Sequence, residues 1–244
     1  MTALAGLTLS VPRGARVAVL GANGSGKTTL FFHLNGTLKP DRGELRLDGA
    51  PAAYGHQALI LWRTRVGLVL QDPDDQLFAA TVSEDVAFGP LNLGLGPAAV
   101  RERVSDALAA VGLEALAQRP THMLSYGQKR RVTLAGVLAM RPEGILLDEP
   151  TAGVDVELRQ TLWKFIARLN REGHTVLLTT HYLEEAEALC ARIAMLKSGK
   201  VVALDRTSSL LAGAAHTLLR FKTDSALPPS LVARARVTGR IVQV

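Results

Sequence analysis

Residues 21–29 read Gly21-Ala22-Asn23-Gly24-Ser25-Gly26-Lys27-Thr28-Thr29 and fit the spacing G-x-x-x-x-G-K-[ST]. Glycine at 21, 24 and 26 lets the backbone turn tightly and aim its N–H groups inward, so the loop can cradle an anion. Lys27 adds a point charge for the outer phosphates, and the Thr28 hydroxyl is placed to bind Mg²⁺. A second chemical pair, Asp148-Glu149, ends the apolar run Ile145-Leu146-Leu147. Adjacent carboxylates at a strand end are costly unless a cation or ligand compensates them. Asp148 is placed to hold Mg²⁺ directly or through water, and Glu149 to polarise an attacking water. The bland readings are a glycine-rich turn with a stray lysine and a solvated acidic turn, and the flanking elements argue against both.

Those elements are legible. Arg16-Val17-Ala18-Val19-Leu20 reads as a buried strand before the loop, and Leu30-Phe31-Phe32 starts a helical run after it that ends near Gly36. Residues 2–11 are expected to form a strand feeding a turn at Pro12-Arg13-Gly14, and Glu44-Leu45-Arg46-Leu47 a half-exposed one, with 48–65 irregular. Val66–Leu70 reads as a buried strand ending at Gln71, before a polar turn, Asp72-Pro73-Asp74-Asp75. Thr81 and Glu84 have capping-box spacing for a helix that Pro90 is expected to stop. Pro97 starts another helix, to Val111, ended by Gly112; Ser125 opens a third, to about Met140. Then come a helix over 157–171, a strand over 175–179 ending at His181, a helix over 184–190, and strands 193–196 and 201–204 meeting at Ser198-Gly199. The alternation predicts an α/β fold of mainly parallel sheet with helices on both faces. The main domain is expected to span 1–205, with a helical block over about 72–142 inserted, and 206–244 to form a small C-terminal extension. In that extension 208–215 read as helix, 218–222 and 236–244 as strand, and Ala226-Leu227-Pro228-Pro229 as a turn.

The chain has 244 residues, with 28 Lys and Arg against 22 Asp and Glu, a formal charge of +6. A basic balance suits nucleic acid, an anionic membrane surface or phosphate ligands. The basic residues are scattered apart from Lys129-Arg130-Arg131, so nucleic acid is not the expected partner. The single cysteine, Cys190, excludes an internal disulfide and reads as a small core hydrophobe. No secretory signal pattern opens the chain, and no apolar run approaches the roughly 18 residues of a spanning helix. Any work at a membrane is therefore expected to be peripheral.

Ser125-Tyr126-Gly127-Gln128-Lys129-Arg130-Arg131, between the glycine loop and the carboxylate strand, resembles the signature sequence of ATP-binding-cassette (ABC) ATPases. Gln71 resembles that family's Q-loop glutamine, Ala152-Gly153-Val154-Asp155 its D-loop and His181 its switch histidine. Singly these are a capping box and solvated side chains; five motifs in family order over about residues 3–205 are specific. The resemblance implies a P-loop NTPase of ABC type that binds ATP and Mg²⁺ and hydrolyses ATP. It implies nucleotide contacts from Gly21, Asn23, Gly24, Ser25, Gly26, Lys27, Thr28 and Thr29, and from Ser125, Gly127, Gln128 and Asp155. It implies Mg²⁺ held by Thr28, Gln71 and Asp148, with Glu149 as general base, His181 at the γ-phosphate and Gln71 coupling the site to the helical block. Two such domains would pair head to tail, as a homodimer or a heterodimer with a second ABC ATPase. The signature helix of each would aim its N-terminus at the γ-phosphate held by the other.

Phe32-His33-Leu34-Asn35-Gly36, the segment Gln71 to Phe78 and the segment Glu84 to Leu93 are similar to ATPases of energy-coupling-factor (ECF) importers, most of all the cobalt/nickel (CbiO-like) type. That implies a transmembrane ECF component docking on 72–90, a membrane component that binds the substrate, and a place at the cytoplasmic face of the membrane. Leu77, Phe78, Val82 and Phe88 are candidate docking residues, unless they only pack the helical block. The six histidines, at 33, 56, 122, 174, 181 and 216, lack tight ligand spacing, so the transported metal is not expected on this chain. The sequence departs from the family at Tyr126, in place of the first signature glycine, at Val156, in place of proline, and at Tyr182, in place of aspartate. Its N-terminus begins where a first strand with an adenine-stacking aromatic is usual, which predicts a shortened antiparallel subdomain and weaker ATP affinity, by roughly 1–3 kcal/mol. Residues 206–244 are expected to support the dimer. The rivals are the ATPase of an ABC exporter, whose flavour Thr180-His181-Tyr182-Leu183-Glu184-Glu185 partly has, and a soluble ABC protein acting on nucleic acid or ribosomes.

Overall fold

The computed structural model describes residues 2–213, 220–222, 236–238 and 241–243, in two compact units, 1–205 and 206–244. The first opens with β1 (Arg16–Leu20) and α1 (Lys27–Leu34), on either side of the glycine loop. A hairpin of β2 (Arg46–Leu47) and β3 (Ala50–Pro51) leads to α2 (His56–Arg65) and β4 (Val66–Val69). Helices α3 (Val82–Asn92), α4 (Pro97–Val111) and α5 (Tyr126–Ala139) come next. Then follow β5 (Gly144–Leu147), α6 (Val156–Arg171), β6 (Thr175–Thr180), α7 (Leu183–Leu189), β7 (Arg192–Lys197) and β8 (Lys200–Arg206).

The main sheet has the order β4-β5-β6-β1-β7-β8. The pairs β4–β5, β5–β6, β6–β1 and β1–β7 are all parallel. Parallel neighbours need crossovers that cover both faces, which is why β1, β5 and β6 read as nearly unbroken apolar runs. Val17, Val19, Leu146, Leu177 and Leu196 form one core face with Leu30 and Phe31 of α1. This is the α/β architecture the alternation predicts, with α3, α4 and α5 packed together between β4 and β5.

Several local expectations change. Residues 2–11 do not form a strand. Leu4, Leu7, Leu9 and Val11 do pack on the core, and Ala5 N donates to Gly199 O at 2.9 Å, but no ladder forms among the described residues. Alternation reports which side is buried; a strand also needs a neighbouring edge to pair with. The half-exposed strand over 44–47 shrinks to the two residues of β2, paired with β3. The stretch read as irregular contains α2, whose apolar residues run together in Ala58-Leu59-Ile60-Leu61-Trp62 and whose N-cap, Gly55, has no side chain to announce it. It is anchored by buried Trp62, whose Nε1 donates to Leu34 O at 2.9 Å. Pro90 does not stop α3 but lies within its last turn, and the helix runs on to Asn92. A proline near a C-terminus breaks only one bond of the ladder. The capping box of Thr81 and Glu84 forms as the spacing predicts.

The second unit contains α8 (Thr207–Gly213) and strands β9 (Arg220–Lys222), β10 (Arg236–Thr238) and β11 (Ile241–Gln243), in an antiparallel sheet of order β10-β11-β9. The turn expected at 226–229, and parts of the elements expected at 208–215, 218–222 and 236–244, lie outside the described residues.

Candidate functional site

The loop after β1 is shaped by its glycines. A Cβ on Gly21 would stand 2.5 Å from Leu196 O and from Ser25 Oγ, while Gly24 and Gly26 have φ of 77° and 103°. Space requires glycine at the first and left-handed backbone favours it at the other two. Gly26 then becomes the N-cap of α1, and the unpaired N–H groups of that first turn carry the helix's positive end. Ser25 Oγ is buried without a hydrogen-bond partner. A buried hydroxyl left unpaired is costly, and a phosphate oxygen at this loop would satisfy it. Asn23 and Gly24 form the exposed rim, whereas Ser25 and Lys27 lie inside.

β6 lies between β1 and β5, and its Thr179, 0 % exposed, holds the carboxylate pair. Its Oγ1 donates to Asp148 Oδ1 and accepts from Glu149 N at 2.8 Å. From the other side Thr28 Oγ1 donates to Asp148 Oδ2 at 2.7 Å. A hydroxyl and a carboxylate oxygen at that separation are hard donors able to share one small divalent cation. Glu149 sits between a cation and an imidazole: Lys27 Nζ is 3.3 Å from Oε1 and His181 Nδ1 is 3.2 Å from Oε2. Lys27 Nζ also donates to Gly21 O at 3.0 Å. Glu149 has φ of 42°, left-handed backbone that costs a non-glycine residue about 1–3 kcal/mol and persists only where its surroundings hold it. The arrangement can bind a polyphosphate, hold a divalent cation beside it and present a carboxylate to a water.

The other expected site residues stand elsewhere. Gln71 is exposed just beyond β4; its side chain makes no hydrogen bond or ion pair among the described residues, and its carbonyl accepts from Tyr126 Oη at 3.4 Å. Ser125 and Gln128 form a reciprocal capping box at the start of α5. A Cβ on Gly127 would meet Leu158 Cδ2 at 2.5 Å, so this glycine lets α5 approach α6. Asp155 caps α6, accepting from Leu158 N at 2.8 Å. Among the described residues no hydrogen bond or ion pair brings these five to this chain's own glycine loop.

Three features escape the sequence reading. Thr179 is one, although a Thr-Thr pair ending an apolar strand was its signal. Glu185, 1 % exposed, is another: its Oε1 accepts from Thr151 Oγ1 at 2.8 Å and Trp163 Nε1 at 3.2 Å, tying together the segments after β5 and β6. Arg130 is the third, 1 % exposed, with burial holding its guanidinium pKa below the usual value. It donates to Leu70 O at 2.6 Å and to Glu149 O. In the helical block, Phe78 and Phe88 form an edge-to-face pair at 4.6 Å and both stand exposed, whereas Val82 is buried in the core of the block. A groove of about 490 Å³ beside them is lined by Ala87, Leu91, Val100, Val104 and Leu108.

Comparison with known proteins agrees with this geometry. The profile of the ABC transporter family matches residues 4–152. A cobalt import ATP-binding protein, CbiO, of Rhodobacter capsulatus is 53% identical over 210 residues, 86% of this chain and 75% of that protein. An energy-coupling factor transporter ATP-binding protein, EcfA, of Methanothermobacter thermautotrophicus is 49% identical over 82% of this chain and 65% of its own length. Among solved structures, cbiO1 of Clostridium perfringens, part of the ABC transporter complex cbiONQ, superposes with a TM-score of 0.79 at 40% identity, covering 87% of this chain and 85% of that one. A dimeric ATP-binding cassette in a post-hydrolysis state with ADP and phosphate superposes with a TM-score of 0.77 at 28% identity, covering 84% and 90%.

Proposed function

The chain belongs to the ABC transporter family of ATP-binding, ATP-hydrolysing subunits, and from that premise we propose that its hydrolysis powers an ECF-class importer whose cargo is a cobalt or nickel ion. The observation that carries the catalytic part is the Lys27–Glu149–His181 array, with Asp148 and Thr28 in hydrogen-bond contact beside it. The cargo rests on the likeness to the cobalt import and energy-coupling factor proteins.

The glycine loop and the first turn of α1 bind the ATP phosphates through backbone N–H groups, and Ser25 Oγ gains its partner there. Incoming phosphate charge competes with Glu149 for Lys27 and frees the carboxylate. Glu149 accepts a proton from water as the water oxygen bonds to the γ-phosphorus. The bond from that phosphorus to the bridging oxygen breaks, and ADP leaves with the electron pair. His181 holds Glu149 on its far oxygen, and its proposed role is to donate to the γ-phosphate. Thr28 and Asp148, with Gln71 brought in from its exposed loop, would hold Mg²⁺, which would supply positive charge against the phosphates.

Ser125, Gly127, Gln128 and Asp155 act in trans: α5 of one subunit aims its N-terminus at the nucleotide of another, which is either a second copy or a related ATPase. Exposed Phe78, Phe88 and Leu91 and the adjoining groove receive a helix of the transmembrane component, placing the subunit at the cytoplasmic face of the membrane. The test is Glu149→Gln beside wild type, with ATP turnover and dimerisation followed in ATP and Mg²⁺. Wild type should hydrolyse ATP and the variant should accumulate as an ATP-bound dimer. A variant that turns over at the wild-type rate removes Glu149 from the role of base.

A further inference from the structure

Arg130 is a fully buried cation outside every role assigned above. It projects from the first turns of α5, the helix whose N-terminal cap is Ser125. Its guanidinium spans the gap between two loops, with Nη1 donating to Leu70 O at 2.6 Å and Nη2 donating to Glu149 O. One carbonyl belongs to the residue before Gln71, the other to the general base itself, whose backbone is in the left-handed region. Two neighbours on the same helix grip the same loop: Tyr126 Oη donates to Gln71 O at 3.4 Å, and Lys129 Nζ lies 2.5 Å from Asp74 Oδ1.

A buried charge is expensive; here the two carbonyls take Nη1 and Nη2, Nε has no hydrogen-bond partner, and Asp148, Asp72 and Glu185 favour the charge only through space. Packing does not require a guanidinium, because an apolar side chain fills a core with no desolvation cost. What the fork adds is geometry: two donors on one rigid plane fix the separation of two carbonyls. With Thr179 on its N–H, and Arg130 together with Ala152 N at 3.0 Å on its carbonyl, the Glu149 peptide groups are held from both sides, which helps keep a left-handed glutamate in place.

We propose that Arg130 is a positioning residue that ties the signature helix, the Gln71 loop and Glu149 of one subunit into a single movable unit. The inference rests on the proposed roles of Glu149 as base and of α5 as a contact for the partner's nucleotide. If α5 shifts when the partner subunit's ATP docks on Ser125, the Arg130 fork transmits that shift to Glu149 in its own subunit. Each nucleotide then reports to the opposite catalytic base through this one side chain.

The experiment is a double-mutant cycle of Arg130→Met with Glu149→Gln, with Arg130→Lys as the milder variant, because lysine keeps the charge but cannot bridge two carbonyls with a planar fork. Turnover, KM for Mg-ATP and binding of a fluorescent ADP analogue are measured on each purified protein. Arg130→Met should lower kcat by about 10- to 100-fold, the scale of a small misplacement of a reacting group. KM and ADP binding should stay within about 2-fold, since the glycine loop is untouched. In the Glu149→Gln background, Arg130→Met should leave the residual rate unchanged, because it acts through the carboxylate that is already gone. If Arg130→Met does not fold, Arg130→Lys carries the test, with an expected fall of about 10-fold in kcat at unchanged KM. Wild-type kcat in a folded variant, loss of ADP binding in parallel with kcat, or an equal fall in the Glu149→Gln background overturns the proposal. A fully active Glu149→Gln single variant instead overturns the assignment of the base, so the two failures are distinct.

Discussion

Replacing Thr179 by valine tests the joint of the site at one atom. The side chain keeps nearly the same shape but loses the Oγ1 that donates to Asp148 and accepts from Glu149 N. Asp148, Glu149 and Thr179 are 2 %, 7 % and 0 % exposed, so water cannot readily replace either bond. Each buried polar group left without its partner costs about 1–3 kcal/mol. Removing the hydroxyl also removes one desolvation cost of similar size, so the net loss is that of roughly one group, about 1–3 kcal/mol. A chain of this size loses about 2–4 °C of melting temperature per kcal/mol, so the thermal midpoint should fall by on the order of 5 °C. Turnover should fall further than stability. Glu149 loses the N–H anchor that sets its carboxylate against Lys27 and His181, and a modest misplacement costs about 10- to 100-fold. Thr179→Ser is the control. It keeps the hydroxyl and loses a methyl worth about 1 kcal/mol, so it should melt slightly lower with turnover near wild type. The assay is steady-state phosphate release with thermal melting of all three proteins. Wild-type turnover and melting in Thr179→Val would refute the reasoning. An equal loss in Thr179→Ser would assign the effect to the methyl group and its packing.

Two further outcomes follow from packing. Burial pushes the Cys190 thiol up to about 12, so at pH 8 the nucleophilic thiolate is nearly absent. Iodoacetamide should leave the native protein unmodified and label it stoichiometrically once unfolded; rapid native labelling would contradict the burial. A Cβ on Gly67 of β4 would stand 2.3 Å from Val137 Cγ1 on α5, a stiff β-branched side chain that cannot swing away. Gly67→Ala should therefore cost about 1–3 kcal/mol. The double variant with Val137→Ala should be more stable in urea unfolding than the sum of the single losses; simple additivity would mean that the two do not meet.

Much of this protein was legible in its sequence because its chemistry is local. Residues 21–29 dictate a strand-to-helix turn through three glycines and a lysine within nine positions, and the loop closes without help from distant residues. The cap of α3, the start of α4 at Pro97 and its end at Gly112 follow equally from residues in direct succession. Where pattern and pairing part, the reading failed. The alternation over 2–11 marks a buried side but supplies no partner edge, and α2 shows neither periodicity nor a capping side chain.

The sequence by itself determined the phosphate-binding loop, the carboxylate pair, the family order of the motifs and the alternating pattern that makes a parallel sheet. Tertiary structure alone decided which groups act on one another, since that depends on strand order and not on distance along the chain. Thr28 and Asp148 meet across 120 residues, and Arg130 reaches Leu70 across 60. Placing β6 beside β5 brought Thr179 onto Asp148 and Glu149, and bringing α5 against β4 buried the Arg130 cation against the Glu149 carbonyl. A buried group must find its hydrogen-bond partners wherever the fold puts them, and no spacing rule in the sequence records where that is.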